Sequence, residues 1–376
     1  MKILLLNYEF PPLGGGAGNA TKNIAREMTA LGHSVTIITT WFKGFPEIET
    51  VDGYTVHRVH SRRQRKDRSN VFEMFHYVWC AIQKSNKIVP DFKPEITISF
   101  FAIPTGIVAL YLKRKFKIPY ILSLRGGDVP GFLPMNLKYY HIFSAPLTNM
   151  IWKNAVSIVA NGKGLQELAE KTATKINQEV LHIPNGVNTK EFYPDVSKQI
   201  LDILNIIFVG RLTEQKGVTF LIDAIQQIKD TKINCGIIGD GPLRESLEKE
   251  TRESGLEGII KFHGWVSREE LRSYYQKADL FILPSYEEGM PNVVLEALAS
   301  GLAIIATDIG GNDELVATGI NGFLYKNHSE LPALITKFIS NPGLKAEFGK
   351  ASCAKAQELS WKNVAEKYIT ICQNKK

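Results

Sequence analysis

Short apolar runs suited to strands recur along this chain at intervals that leave room for one helix between them, and that rhythm restricts its fold more than any other feature. The first series is ILLLN from residue 3, SVTIITT from 34, ITISF from 96, PYILSL from 119, SIVAN from 157 and EVLHIPNG from 179. A second series begins with IIFVGRL at 206 and continues through INCGIIGDG, IKFHGW, DLFILPS and AIIATD, which starts at 303. Runs so uniformly apolar belong to strands covered on both faces, and strands alternating with helices pair in parallel. The expected fold is therefore α/β, with two Rossmann-like doubly wound domains facing each other across a cleft. A length of 376 residues suits about two domains. They are expected at 1–190 and 191–358, with a polar connection around 186–204.

The rest of the composition narrows the class. With 44% hydrophobic and 22% charged residues the chain reads as a soluble globular protein. Met1-Lys2 leads straight into a strand, so no signal peptide is expected. The longest apolar run, residues 100–112, is broken by Pro104 and falls short of the roughly 18 residues that spanning needs. Cys80, Cys235, Cys353 and Cys372 form no CxxC pair, so neither a zinc site nor a disulfide framework is indicated. A cytoplasmic protein with reduced thiols is the expectation. Residues 1–190 hold 24 Lys and Arg against 13 Asp and Glu, whereas the remainder holds 21 against 25. The basic half points to an anionic partner. Its densest cluster, Arg58, Arg62, Arg63, Arg65, Lys66 and Arg68, precedes the aromatic stretch VFEMFHYVWCAI. An anionic membrane surface on the cytoplasmic side fits this pairing better than nucleic acid does, and a solvated loop before a core helix stays open beside it.

Open α/β sheets bind ligands outside the carboxyl ends of their strands, and the notable loops here all follow strands. Gly14, Gly15 and Gly16 follow the first, but Asn19 stands where a third dinucleotide-fingerprint glycine belongs. Three consecutive glycines suit a close backbone approach to a ligand, and a plain turn is the alternative. Arg211 and Lys216 follow IIFVG and provide two cations for a diphosphate, one a planar fork and the other a mobile point charge. In PSYEEGMPNVVLEALASG, Gly289, Met290, Pro291 and Asn292 announce a helix with Pro291 at its first position. Its unpaired amides and dipole make an anion site, flanked by Glu288 before the helix and Glu296 within it. Carboxylates accept hydrogen bonds from hydroxyls, so the pair suits the sugars at the two ends of a diphosphate. Surface charge is the competing fate of each, although Glu296 lies among apolar neighbours that leave it little polar face.

These segments, GRLTEQKG, GDGPLRESLE, FHGWV and PSYEEGMPNVVLEALASGLAIIATDIGGNDELV together with the first glycine loop, resemble the retaining nucleotide-sugar glycosyltransferases of family 4, which have the GT-B fold. The resemblance spans nearly the whole chain and is most specific over 205–325. It implies that Arg211 and Lys216 hold the donor diphosphate, that Glu296 binds the ribose, and that Glu288 meets the donor sugar near the reacting carbon. It places Gly264, Trp265 and Val266 by the base, with Gly239 and residues 289–292 also on the donor, and Gly15 and Gly16 near the donor phosphate and acceptor. It also implies a C-terminal helix over 359–376 that packs back on the first domain. The family carries a histidine in an HGxD-like motif whose counterpart here is Arg125-Gly126-Gly127-Asp128. Arginine is no base, so Arg125 and Asp128 are expected to orient donor sugar and acceptor, with a loop salt bridge between them as the alternative. No DxD occurs, and no metal or cofactor is expected. The implied partners are a nucleotide-sugar donor and a glycan or lipid-linked acceptor, with no nucleic acid. A nucleotide-sugar epimerase, a phosphorylase or a non-catalytic sugar-nucleotide binder on the same fold remains a competing reading.

Overall fold

The computed structural model describes residues 1–374 apart from Gly14, 66–68, 132–137, 199–201 and 229–231, and does not describe the side chains of 138–142. Two compact units emerge: Met1–Asn185 with Trp361–Lys376, and Gly186–Ser360. The first division falls earlier than 190/191 because Val187 and Phe192 are buried in the second unit's core. The last falls later than 358/359 because Leu359 joins that same core, its carbonyl accepting the Val187 amide at 2.8 Å, while Trp361 is buried in the first.

The first unit runs β1 (Lys2–Leu6), α1 (Gly16–Ala30), β2 (Ser34–Thr40), β3 (Ile48–Val51), β4 (Tyr54–Val59), α2 (Val71–Phe92), β5 (Ile96–Phe100), α3 (Thr105–Phe116), β6 (Tyr120–Leu124), α4 (Lys138–Asn154), β7 (Ser157–Ala160), α5 (Lys163–Ala173) and β8 (Val180–His182). Its sheet has the order β3-β4-β2-β1-β5-β6-β7-β8, and β3 alone is antiparallel to its neighbour. Strand order reverses between β1 and β5, where Ile3 pairs with Ile96. Every residue of β5 and β6 is buried, as strands sandwiched by helices must be. On one face α1 packs with the C-terminal helix, whose Val364, Tyr368 and Cys372 join Ile24, Ala25 and Met28. On the other, Tyr77 and Ala81 of α2, Val108 of α3 and Trp152 of α4 form a separate cluster.

The hairpin of β3 and β4 has no counterpart in the apolar rhythm. It turns at Asp52 and Gly53, with φ of 48° and 82°, the left-handed pair that an Asp-Gly hairpin favours.

The second unit contains β9 (Leu204–Val209), α6 (Val218–Ile228), β10 (Ile233–Ile238), α7 (Arg244–Glu253), β11 (Ile260–Gly264), α8 (Arg268–Lys277), β12 (Leu280–Leu283), α9 (Asn292–Ala299), β13 (Ala303–Thr307), β14 (Gly322–Tyr325), α10 (Leu331–Ser340) and α11 (Pro342–Glu358). The chain then returns to the first unit as α12 (Trp361–Asn374). The second sheet is wholly parallel in the order β11-β10-β9-β12-β13-β14, so its reversal lies between β9 and β12. Among the described residues no helix is long and apolar enough to cross a membrane.

Candidate active site

The reversal between β9 and β12 brings two loops together at the carboxyl ends of their strands, the position where open α/β sheets bind ligands. After β9 the chain makes a tight turn over Glu214–Lys216 and leaves it through Gly217 at φ 60°. The turn is tied to the loop after β12: the Tyr286 amide donates to the Gln215 carbonyl at 2.9 Å, and Gln215 Nε2 to the Glu287 carbonyl at 3.0 Å. This positions Lys216 Nζ 2.5 Å from Glu288 Oε1, which also accepts from Ser285 Oγ at 2.7 Å. Lys216 and Glu288, expected to address a ligand separately, are thus partners of one another. Their side chains are only 19% and 8% exposed, so the pair is poorly screened by solvent. Arg211 is exposed at the same strand end, and its guanidinium has no partner among the described residues.

The helix α9 begins beside Glu288. Pro291, at φ −74° and ψ 108°, caps it in an extended conformation instead of occupying its first turn, and no side chain caps it. The loop after β13 approaches the same point. A Cβ on Gly311, at φ 88°, would lie 2.2 Å from the Gly289 carbonyl oxygen, so only glycine permits the contact. The buried Met290 anchors this corner to the core.

Glu296, one turn into α9, is 6% exposed and faces α8. Its carboxylate accepts from Arg268 Nη1 and from the Tyr275 hydroxyl, both at 3.3 Å. Arg268 is held in turn by an ion pair to Glu191 and stands over the Phe192 ring at 5.0 Å. Burial pushes the Glu296 carboxyl up to about 7, against the downward pull of Arg268, and raises the Tyr275 hydroxyl well above its usual range. Glu288 and Glu296 therefore have separate supports. On the other side of β9, the Gly239 amide donates to the Gly264 carbonyl at 2.8 Å, and a Cβ on Gly239 would fall 1.9 Å from the Gly210 oxygen. This brings the ends of β9, β10 and β11 into backbone contact and presents Trp265, 79% exposed, next to the half-buried Val266.

In the first unit, Asp128 does not form the loop salt bridge with Arg125. Its two oxygens accept the amides of Arg125 at 3.1 Å and Ala102 at 3.0 Å, fixing the loops after β6 and β5 to each other. Burial raises its carboxyl above the ordinary range. The Arg125 guanidinium instead donates to Asn185 Oδ1 at 2.7 Å and to the Tyr368 hydroxyl at 3.5 Å, and lies 4.9 Å over the Phe100 ring. Tyr368 is fixed by Ser123 at 2.7 Å. Gly15 precedes α1 and Gly16 is its first residue; a Cβ on Gly15 would meet nothing within 4 Å, so packing does not demand glycine there. Gly14 lies outside the described residues.

The basic cluster is smaller as a surface than as a sequence. Arg58 is buried in an ion pair with Glu49, and Arg63 is buried over the Tyr8 ring at 5.6 Å. Arg62 and Arg65 are exposed, while Lys66 and Arg68 lie outside the described residues. Sequence reading missed Ser285, Arg268, Tyr275, Asn185 and Tyr368. Ser285 adjoins the recognised glutamates, but the others meet their partners only through tertiary packing and leave no local signal. Among the described residues no three His, Cys, Asp or Glu side chains gather as a metal cage.

Two family profiles divide the chain between them: Glycosyltransferase Family 4 matches residues 14–191, and Glycosyl transferases group 1 matches 190–354. An uncharacterised glycosyltransferase of Methanocaldococcus jannaschii is 28% identical over 363 residues, covering 96% of this chain and 95% of its own. Alpha-monoglucosyldiacylglycerol synthase of Acholeplasma laidlawii is 25% identical and covers 99% and 96%. Among solved structures, sucrose-phosphate synthase from Thermosynechococcus elongatus superposes with a TM-score of 0.82 at 20% identity, covering 99% and 98% of the two chains. Anabaena HepE in complex with UDP gives 0.77 at 18% identity, with both chains covered in full. The Lys216–Glu288 corner at the strand reversal, the uncapped helix beside it and these likenesses over nearly the full length lead to one assignment: the chain is a GT-B glycosyltransferase of group 1, family 4.

Proposed function

We propose that this transferase moves a sugar with retention, and without a metal ion, from a nucleotide-sugar donor to a glycan or lipid-linked acceptor in the synthesis of a cell-surface polysaccharide or glycolipid. The observation that carries the reading is the Lys216–Glu288 pair, set beside the exposed Arg211 and the start of α9 at the β9/β12 reversal. The likeness to HepE, whose structure holds UDP, supports a nucleotide donor, and the diacylglycerol-linked name of the Acholeplasma relative supports a lipid acceptor.

The donor diphosphate meets Arg211, Lys216 and the amide end of α9, across residues 289–292. The bond between the sugar's anomeric carbon and the diphosphate oxygen breaks, and its electron pair stays on the phosphate, where these groups stabilise the charge. The acceptor hydroxyl oxygen bonds to that carbon from the face the leaving group vacates. Its proton passes to the departing phosphate oxygen, so no protein base is required. Glu288 accepts from a donor-sugar hydroxyl while Lys216 is shared with the phosphate. Glu296 takes the ribose hydroxyls in place of part of its Tyr275 and Arg268 contacts. Gly239, Gly264, Trp265 and Val266 lie by the base. In the first unit Gly15, Gly16, Arg125 and Asp128 serve the acceptor side, with Asp128 acting through the backbone it holds. The protein works in the cytoplasm, and Arg62 and Arg65 touch the anionic membrane face.

A thermal-shift screen over UDP, GDP and ADP sugars, followed by incubation of the best binder with membrane lipid extract and labelled donor, tests this reading. Transfer of label with retained anomeric configuration supports it. Sugar interconversion without an acceptor would identify an epimerase, and binding with neither outcome a non-catalytic binder.

A further inference from the structure

The outward face of the first half of α2 is apolar. Val71, Phe72, Phe75 and Trp79 recur at helical spacing and all are exposed, Trp79 to 65%. Farther along, the exposed positions become Gln83 and Lys87. Core packing does not account for this face, because α2 already buries Tyr77 and Ala81 on the opposite side. Phe143 of α4 is 83% exposed, and between the two helices runs a groove of about 370 Å³ walled by Met74, Phe75, Val78, Ile103, Ile107 and Leu147. A contiguous exposed patch of this kind marks an interaction site.

Charge and chemistry identify the occupant. Arg62 and Arg65 are exposed in the segment that leads into α2. Glu73 is turned inward, accepting the amides of Gln64 at 3.2 Å and Asn70 at 3.0 Å, so it presents no negative charge on this face. Aromatic side chains flanked by arginines, without an outward carboxylate among the described residues of this stretch, suit the interface of an anionic bilayer. A protein partner would be expected to find hydrogen-bonding groups across such an area, and Ser144 is the sole polar side chain on the groove's described walls. The groove also lies where a lipid acceptor would be presented: Ile103 follows Ala102, whose amide is bound by Asp128 at the carboxyl end of the sheet.

We propose that this groove seats one hydrocarbon chain of a lipid in an anionic bilayer, with Phe72, Phe75, Trp79 and Phe143 embedded around it and Arg62 and Arg65 on the lipid phosphates. The inference deepens, and rests on, the membrane contact in the proposed function. Flotation of the full chain with vesicles of phosphatidylcholine mixed with phosphatidylglycerol, and of phosphatidylcholine alone, tests it. Wild type is expected to bind the mixed vesicles and to retain part of that binding in high salt. Phe75→Asp and Trp79→Asp each weaken it by about tenfold or more, the loss expected when one aromatic no longer leaves water. Ser144→Trp, which fills the groove and spares the surface aromatics, weakens it too. Unchanged melting temperatures and an unchanged shift with UDP show that the variants fold and keep the donor site. If salt removes all binding and these three variants bind like wild type, the groove proposal is overturned while the charged membrane contact stands. If no vesicle is bound, both fall. If wild type is a dimer that Phe75→Asp dissociates, and vesicles are not bound, the face is a subunit interface and the proposal fails.

Discussion

Replacing Glu296 by glutamine should change how the stability of the protein depends on pH. In the fold its carboxyl titrates at about 7 against an ordinary 4.5, chiefly because burial penalises the anion. A raised acid pKa means that the native state binds the proton more tightly than the unfolded chain. The associated stability is therefore fully present below 4.5 and is lost as pH rises through 7. The span between those values, in which the pull of Arg268 is already included, corresponds to about 3 kcal/mol at most. The absolute pH curve is no test, because burial pulls His57 down to about 4 and gives a slope of opposite sign over part of the range. The difference between wild type and Glu296→Gln isolates the group. Urea unfolding from pH 5 to pH 8 should show the wild type losing roughly 1–3 kcal/mol relative to the variant as pH rises. A flat difference would mean that Arg268 and Tyr275 keep the carboxylate ionised throughout, and the reasoning from burial would be refuted.

Lys216→Ala removes a cation proposed to hold the diphosphate and leaves the Glu288 carboxylate without its 2.5 Å partner, so kcat should fall by about 10²–10³ and stability by about 1–3 kcal/mol; steady-state kinetics and urea unfolding measure the two. Arg125→Ala loses the bonds to Asn185 and Tyr368 in the first unit, and should lower transfer while leaving the nucleotide-induced melting shift intact. Unchanged transfer would make Arg125 structural only. Gly239→Ala drives a methyl group to within 1.9 Å of the Gly210 oxygen at a φ of 135° and should cost several kcal/mol, with calorimetry reading the lowered transition.

The parallel sheets were legible because most of their strands are largely apolar runs, from ILLLN to AIIATD, and the strand-end loops because Gly, Pro and charge cluster there; the short β14 run GFLY at the edge of the second sheet was not. The β3 and β4 hairpin was not, since its half-buried strands alternate and only Asp52-Gly53 signals it. Glu288, Lys216 and Arg211 could be picked out by position. Their relationship could not: that Lys216 turns onto Glu288 depends on a backbone bond between Gln215 and Tyr286, 71 residues apart in the chain. The same limit hid the support of Glu296 on α8 and the burial of Arg58 and Arg63, which sequence alone counts as surface charge.

The β9/β12 reversal is proposed to bind a nucleoside diphosphate and to release it during glycosyl transfer. The most direct measurement is single-turnover release of labelled nucleoside diphosphate, with appearance of glycosylated lipid, in the presence of a chelator, for wild type and for the Arg211→Ala, Lys216→Ala double variant. Matched release and transfer are expected in the wild type, with an α-linked product from an α-linked donor, and loss of both in the double variant. Equal transfer by the two proteins, or a product of inverted configuration, would contradict it.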